Sequence, residues 1–138
     1  MPINLRQVDD ITDVVIGAAI KVHKALGPGL LETAYEACLV FELRGLGRTI
    51  ETEKRVPVIY GSVRIDCGYK IDILVDDLVV VEVKSVRELA PIHTAQILTY
   101  LKITGCPAGL LLNFNVPVLK QGIRRLLNAN ATKGLVAE

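Results

Sequence analysis

The sequence predicts an α/β domain, because helical and strand-like hydrophobic patterns follow one another along the chain. Apolar residues recur at helical spacing on both sides of the segment Gly27-Pro28-Gly29. Segments rich in Val, Ile and Thr then run through residues 49–85, separated by Gly and Asp turns. A further helical pattern precedes residues 108–114, a continuous apolar run typical of a strand buried on both faces.

Length and composition bound the class of protein. A chain of 138 residues is expected to form one domain, residues 1–138, with a single core. Because 51% of the residues are hydrophobic and only 4% aromatic, the core should be aliphatic and the chain folded. With 16 Lys and Arg against 15 Asp and Glu, net charge gives no support to an indiscriminate nucleic-acid binder, although it leaves room for a local basic patch.

The cysteines and the N-terminus indicate the compartment. Cys38, Cys67 and Cys106 lie far apart with no C-x-x-C spacing, which predicts reduced, buried thiols and no disulfide, zinc site or iron-sulfur cluster. The first ten residues lack the apolar core of a signal peptide, and no run approaches the ~20 apolar residues of a membrane span. The expected location is the cytoplasm.

Two helices are predicted before the strands. Residues 11–26 follow helical spacing, and Asp10 with Asp13 resembles a capping box in front of them. The Gly-Pro-Gly segment stops this helix, and a second should cover residues 30–44 and end at Gly45. The short loop between them predicts that the two helices pack against each other.

The middle of the chain is predicted to be an antiparallel meander. Residues 49–60 read as one strand, with Pro57 indicating an edge or a bulge. Residues 63–75 form a second strand, broken near Gly68, and residues 78–85 a third.

A third helix and a return strand should follow. Pro91 can occupy the first turn of a helix over residues 92–104, and Gly105 stops it. Because it follows a strand and a helix, the apolar run 108–114 can return parallel to the third strand.

The tail leaves two structures open. Residues 118–128 fit either a short edge strand or a short helix, and residues 129–138 look frayed. Lys120, Arg124 and Arg125 lie in this tail, either as an ordinary solvated face or as contacts to nucleic-acid phosphates.

The hairpin over residues 69–84 carries the charges that need explanation. Asp72, Glu82 and Lys84 lie within runs of Ile, Leu and Val, where burying a charge is costly without a partner or a metal. A three-residue loop at 76–78 places Asp72 opposite Glu82 and puts Lys84 on the same face, whereas a two-residue loop separates them unless a bulge intervenes.

Two carboxylates on adjacent strands, about 5 Å apart at the backbone, suit Mg²⁺ or Mn²⁺. Such an ion polarises a phosphoryl oxygen, and a neighbouring lysine can orient a water molecule, so the set favours phosphodiester hydrolysis. The alternative is that Asp72, Glu82 and Lys84 form an ordinary cross-strand salt bridge.

Three further residues each have two interpretations. Gln96 and Tyr100, four apart on the third helix, either touch the substrate phosphate or a metal-bound water, or form a solvated flank. Glu32 lies at an apolar margin of the second helix, where it either caps the first turn or is held over a cleft.

These motifs resemble known families over residues 11–128. Residues 29–35, from Gly29 through Glu32 to Tyr35, resemble the signature of the GxxExxY proteins. Asp72, Glu82-Val83-Lys84 and Gln96-x-x-x-Tyr100 resemble the motifs of the PD-(D/E)XK nuclease superfamily, especially its RecB-like branch. The strings Val22-His23, Gly27-Pro28-Gly29 and Leu112-Asn113-Phe114 occur in the matching order.

The resemblance implies a restriction-endonuclease-type core, a small mixed sheet flanked by helices. Asp72 and Glu82 would be metal ligands, Lys84 the catalytic lysine and Glu32 a helix-borne carboxylate that reaches the metal. Gln96 and Tyr100 would line the cleft. His23 is the position that could match a metal-binding histidine of RecB-like relatives, against the alternative of a packed, hydrogen-bonded side chain.

The expected function is a Mg²⁺- or Mn²⁺-dependent nuclease that hydrolyses phosphodiester bonds in nucleic acid, with DNA as the expected substrate. One alternative is a catalytically silent module that keeps the nuclease fold and binds nucleic acid or protein. A third interpretation is an assembly subunit that forms a homodimer through an apolar sheet edge.

Overall fold

A computed structural model describes residues 4–132 and contains, within them, four helices and seven strands. The helices are α1 (Leu5–Leu26), α2 (Glu32–Gly45), α3 (Pro91–Thr104) and the short α4 (Ala129–Thr132). The strands are β1 (Ile50–Arg55), β2 (Val58–Tyr60), β3 (Val63–Ile65), β4 (Lys70–Val75), β5 (Val79–Lys84), β6 (Ala108–Asn113) and β7 (Ile123–Leu127).

The main sheet is mixed and has five strands in the order β1-β4-β5-β6-β7. β5 and β6 pair in parallel through the α3 crossover, and the other neighbours pair antiparallel. β2 and β3 form a separate two-stranded hairpin. The predicted α/β fold, a small mixed sheet flanked by helices, is therefore confirmed.

The sheet separates two apolar cores. Side chains such as Val81 and Val83 pack with α1 and α2, whereas Val80 packs with Ile97 and Leu101 of α3. Successive residues of β5 enter opposite cores because strand side chains alternate between faces. The hairpin β4–β5 therefore lies between the two helical layers.

The helix ends differ from the predicted ones. α1 begins at Leu5, because the side chain of Asn4 accepts the Gln7 amide at 2.7 Å and caps the helix. The predicted capping box at Asp10 and Asp13 is therefore wrong. α3 runs from Pro91 to Thr104, and Gly105 stops it as predicted, in a left-handed conformation at φ 75°.

The predicted strand over residues 49–60 is divided at Pro57. β1 ends at Arg55, and β2 starts at Val58 and leaves the main sheet to pair with β3. Pro57 has no N–H to donate to a ladder, which favours this break. The predicted break near Gly68, which has φ 82°, is confirmed between β3 and β4.

The tail forms the edge strand β7 after a 3-10 turn at Leu119–Gly122, which decides between the two structures left open for residues 118–128. Of the segment expected to be frayed, residues 129–132 form α4 and the rest lies outside the described residues.

Cys106 is buried, but Cys67 is exposed in the connection before β4, where no core covers it, so the prediction of a buried thiol is wrong there. Within residues 4–132 no helix is long and apolar enough to cross a membrane.

Candidate active site

The β4–β5 hairpin has the three-residue loop that the site requires. Val75 pairs with Val79 and Ile73 pairs with Val81, so residues 76–78 form the turn, and Asp72 and Glu82 are the next residues beyond the last pair. Asp76 and Asp77 adopt positive φ angles of 53° and 57°, a conformation that Asp tolerates better than most residues. The predicted loop length is confirmed.

The two carboxylates lie where this ladder opens. Beyond the Ile73–Val81 pair, the Val83 amide donates to Asp72 Oδ2 at 2.8 Å, and the Asp72 amide donates to Glu82 Oε1 at 3.2 Å. Side-chain oxygens thus take the place of backbone carbonyls as acceptors. This arrangement holds both carboxyl groups at the divergence of the strands.

Burial and mutual repulsion raise the pKa of both groups. Burial is the largest cause for Glu82, followed by the charge of Asp72, and together they raise the Glu82 pKa to about 9. Burial also raises the Asp72 pKa, against the opposing effects of the Val83 amide and Lys84. In the absence of a cation, the pair therefore tends to retain a proton at neutral pH.

Two further carboxylates converge on Asp72. Glu36 of α2 and Glu53 of β1 each have a carboxylate oxygen within 4.8 Å of the others and of Asp72. Glu53 is flanked by the pairs Thr52–Ile73 and Lys54–Ile71, which puts it opposite Asp72 across β1 and β4. The neighbouring strands β1, β4 and β5 thus each carry a carboxylate at this level of the sheet, namely Glu53, Asp72 and Glu82.

Glu36 and Glu53 both carry signs of strain. Burial, then the charges of Asp72 and Glu53, raise the Glu36 pKa to about 7. Glu53 has φ 51°, a left-handed conformation that costs an L-residue about 1–2 kcal/mol. An unfavourable backbone angle is typical of functional sites. Clustered like charges are typical of a site where a bound cation would offset their repulsion.

The donor set fits a hard divalent cation. Carboxylate oxygens are the ligands that Mg²⁺ and Mn²⁺ prefer, and the residues within this cluster supply no thiol or imidazole. A cation would also offset the mutual repulsion of Asp72, Glu36 and Glu53. Among the described residues, these three are the group with metal-binding spacing.

Lys84 lies beside the carboxylates without being tied to one of them. Lys84 is two residues beyond Glu82 on β5, and its charge lowers the pKa of both Asp72 and Glu82. None of the ion pairs found within residues 4–132 includes Lys84. This geometry differs from the ordinary cross-strand salt bridge that was the alternative interpretation.

Gln96 and Tyr100 form one unit on α3. Gln96 Nε2 donates to the Tyr100 hydroxyl at 3.2 Å, and Tyr100 is only 4% exposed. Burial, followed by the charge of Glu82, raises the Tyr100 pKa to about 12. The structure thus brings Gln96 and Tyr100 of α3 next to the carboxylates of the β4–β5 hairpin.

Glu32 lies one turn before Glu36, at the end of β5. Its Oε1 accepts the Ser85 amide at 3.2 Å, and Ser85 Oγ donates to the Leu30 carbonyl at 2.6 Å. These bonds attach the loop before α2 to the residue that follows Lys84. Glu32 lies outside the three-carboxylate group, and its role as a metal ligand stays a prediction.

Tyr35 fixes the same loop from inside the core. Its hydroxyl donates to the Gly27 carbonyl at 2.6 Å and accepts the Leu30 amide at 3.1 Å, while its ring stacks on Phe114. Glu32 and Tyr35 of the Gly29–Tyr35 string therefore both hold the α1–α2 loop in place.

His23 and the basic tail lie apart from the carboxylates. His23 is buried, with Nε2 at 2.8 Å from the Val116 carbonyl, so this nitrogen carries the proton and donates. This is the packed, hydrogen-bonded alternative. Arg125 is paired with Asp9, and Lys120 and Arg124 are exposed.

Glu36 and Glu53 were missed by the sequence reasoning. Glu36 follows Glu32 by four residues, and this spacing places both on one helix face, so a signal existed. For Glu53 no local signal existed, because the register of β1 against β4 depends on an intervening hairpin.

The family model described as the PD-(D/E)XK nuclease superfamily matches residues 9–126, which is most of the chain and includes every residue of the site described above. No curated protein and no solved structure matches the chain.

Proposed function

Because the chain belongs to the PD-(D/E)XK nuclease superfamily, we propose that it is a divalent-metal-dependent nuclease that hydrolyses phosphodiester bonds in nucleic acid, with DNA as substrate. The observation that carries the proposal is the convergence of Asp72, Glu82 and Lys84 at the opening of one hairpin. The electrostatics of an ordinary sheet would not favour a buried Glu82 carboxylate beside the half-buried Asp72 carboxylate without a cation.

Asp72 would hold the metal, with Glu36 and Glu53 as the groups whose oxygens already lie nearest to it. Glu82, the next residue beyond the last β4–β5 pair, and Glu32, one turn from Glu36, are the other proposed ligands. A bound Mg²⁺ or Mn²⁺ would polarise the phosphoryl oxygen and supply a water of lowered pKa.

Lys84 would orient the attacking water and donate hydrogen bonds to the negative charge that develops on the phosphate. Its freedom from the ion pairs of the described residues leaves the ammonium group able to do so. Gln96 and the Tyr100 hydroxyl would position the same phosphate from α3, since both are hydrogen-bond donors.

The test is cleavage by purified protein of supercoiled plasmid, of single-stranded and duplex DNA oligonucleotides, and of RNA, each with Mg²⁺, Mn²⁺ or EDTA. The expected result is cleavage that requires the metal and falls at least 100-fold in Lys84→Ala. Lys102→Ala is the matched control, because Lys102 is an exposed lysine on α3 outside the site.

Equal activity in Lys84→Ala and wild type would contradict the assignment of Lys84 and would indicate a contaminating nuclease. Metal-dependent binding of nucleic acid without any cleavage would instead support the catalytically silent module.

A further inference from the structure

A cavity of about 410 Å³ adjoins the site and has no role in the chemistry described so far. It lies between α3 and the segment that connects the β2–β3 hairpin to β4. Its lining residues are Val58, Tyr69, Ile92, His93, Ala95, Gln96, Thr99, Tyr100 and Ile103. Its size falls within the range of pockets that take small organic groups.

The cavity shares part of its wall with the proposed active site. Gln96 and Tyr100 form part of its wall, and the Tyr100 hydroxyl also lies within the electrostatic influence of Glu82 and Asp72. Tyr69, on the opposite wall, is three residues before Asp72 on the same segment. A group held in this cavity would therefore belong to the nucleotide next to the phosphate at the carboxylates.

The lining combines an aromatic ring, aliphatic surface and a few polar groups. Tyr69 is 47% exposed and Ile92 is 69% exposed, so both present apolar surface to solvent at the cavity. A nucleobase offers two apolar faces that stack on such surfaces, in particular on a tyrosine ring.

Polar groups in the cavity lining can form hydrogen bonds with the edge of a base. His93 Nδ1 accepts the Ala90 amide at 2.9 Å, so the proton of the neutral ring is on Nε2, which is a hydrogen-bond donor. Gln96 adds a side-chain carbonyl and an amide to the same wall. A purely aliphatic ligand would leave these groups without compensation for their lost hydration.

We propose that this cavity binds an unstacked nucleobase adjacent to the scissile phosphate, so that the protein acts on single-stranded nucleic acid or on unpaired ends in preference to intact duplex. This proposal rests on the proposed nuclease function. In an intact duplex the base is stacked and paired, and it would have to leave the helix to enter the cavity.

The experiment uses Tyr69→Ala and Ile92→Ala, with Tyr60→Ala and Ile59→Ala as matched controls. Tyr60 and Ile59 are exposed residues of the neighbouring strand β2 and do not line the cavity. Cleavage of a 12-nucleotide single strand and of the same sequence as a duplex is measured with Mn²⁺. We expect each cavity variant to cut the single strand about tenfold more slowly, with little change on duplex, and each control to match wild type.

A second measurement separates this proposal from the nuclease assignment. Binding of the fluorescent 12-mer, and of the same strand with one abasic position at a time, is measured on Lys84→Ala protein that does not cut. Binding that weakens about tenfold when Tyr69 is truncated, or when one particular base is missing, supports the cavity even if wild type shows no cleavage.

Cleavage by wild type together with unchanged single-strand cutting and binding in folded Tyr69→Ala and Ile92→Ala would overturn the proposal and leave the nuclease function intact. Equal affinity for all abasic strands and for the intact strand would overturn it as well. Thermal melting of each variant verifies that the truncations leave the fold in place.

Discussion

At the scale of single residues, burial of the pair Asp72 and Glu82 raises the pKa of both carboxyl groups. The raised pKa of Glu82, about 9, means that the folded protein opposes its ionisation. We expect Glu82→Gln to raise the free energy of unfolding at pH 8 without metal, on the order of 1–3 kcal/mol, because folding of the wild type at this pH requires the Glu82 carboxyl to take up a proton that it lacks in the unfolded chain.

Urea unfolding in EDTA measures this gain, and the same variant should lose metal-dependent cleavage. At pH 5 the gain should shrink, because the pH is then close to the ordinary carboxyl pKa and the proton uptake on folding costs little. A Glu82→Gln protein that is less stable than wild type at pH 8 would contradict the electrostatic account of the pair.

Glu32 and Glu36 can be separated by matched substitutions. Glu36 lies with Glu53 and Asp72, whereas the Glu32 carboxylate accepts the Ser85 amide. We expect Glu36→Gln to weaken Mn²⁺ binding at least about tenfold, since even outer partners of a metal site cost 10–100-fold when removed.

Glu32→Gln is the comparison, measured by the same calorimetric titration. Weaker binding in both variants would place both carboxylates at the metal, as the family resemblance implies for Glu32. Unchanged binding in Glu36→Gln would show that Glu36 of α2 is not a metal ligand.

At the scale of elements, the end of β6 depends on a close approach of two backbones. A Cβ added at Gly122 would lie 2.1 Å from the Asn113 carbonyl oxygen, and Asn113 pairs with Lys84. We expect Gly122→Ala to destabilise the fold by about 1–3 kcal/mol in urea unfolding, since the strand or the turn must shift.

Gly17→Ala is the matched control for that prediction. Gly17 lies inside α1, and nothing lies within 4 Å of the added Cβ, so the substitution should stabilise by about 0.5–1 kcal/mol. Similar effects of the two substitutions would show that the contact at Asn113 is relaxed at little cost.

The elements also show which part of the site the sequence can predict. The hairpin follows from local information, because strand alternation and a three-residue loop fix Asp72 opposite Glu82. Glu53 depends on how β1 pairs with β4 across an excursion through β2 and β3, and its left-handed φ is a tertiary effect. Local pattern therefore predicts Asp72 and Glu82 and misses Glu36 and Glu53, which other elements bring in.

At the scale of the whole molecule, the carboxylates should link folding to pH and metal. Glu36, Asp72 and Glu82 all have a raised pKa in the folded protein. Their contribution to stability is therefore fully present below the ordinary carboxyl pKa and is lost as pH rises through about 7 for Glu36 and about 9 for Glu82.

We expect the melting temperature of the metal-free protein to fall between pH 5 and pH 9, and added Mn²⁺ to raise it more at pH 8 than at pH 5.5. The reason is that a cation must displace the protons that the carboxylates hold at low pH. Thermal melting across this range checks both trends, and a metal effect that is independent of pH would contradict them.

Topology was the most predictable property at this scale. Helix, meander, helix and return strand could be ordered from hydrophobic period alone, and the crossover rule gave the parallel β5–β6 pair. The separation of β2 and β3 from the main sheet could not be predicted from the same pattern, because Pro57 is compatible with an edge strand as well as with a break. Val58 of the separate β2 strand lines the cavity beside Tyr100.

The central claim is that the carboxylates around Asp72 hold a divalent cation, and a crystal structure of the protein grown with Mn²⁺ tests it most directly. We expect anomalous density from a bound Mn²⁺ ion in contact with Asp72 and with at least one of Glu36, Glu53 and Glu82. An Asp72 carboxylate that keeps its bond to the Val83 amide, with no density beside it at millimolar Mn²⁺, would contradict the claim.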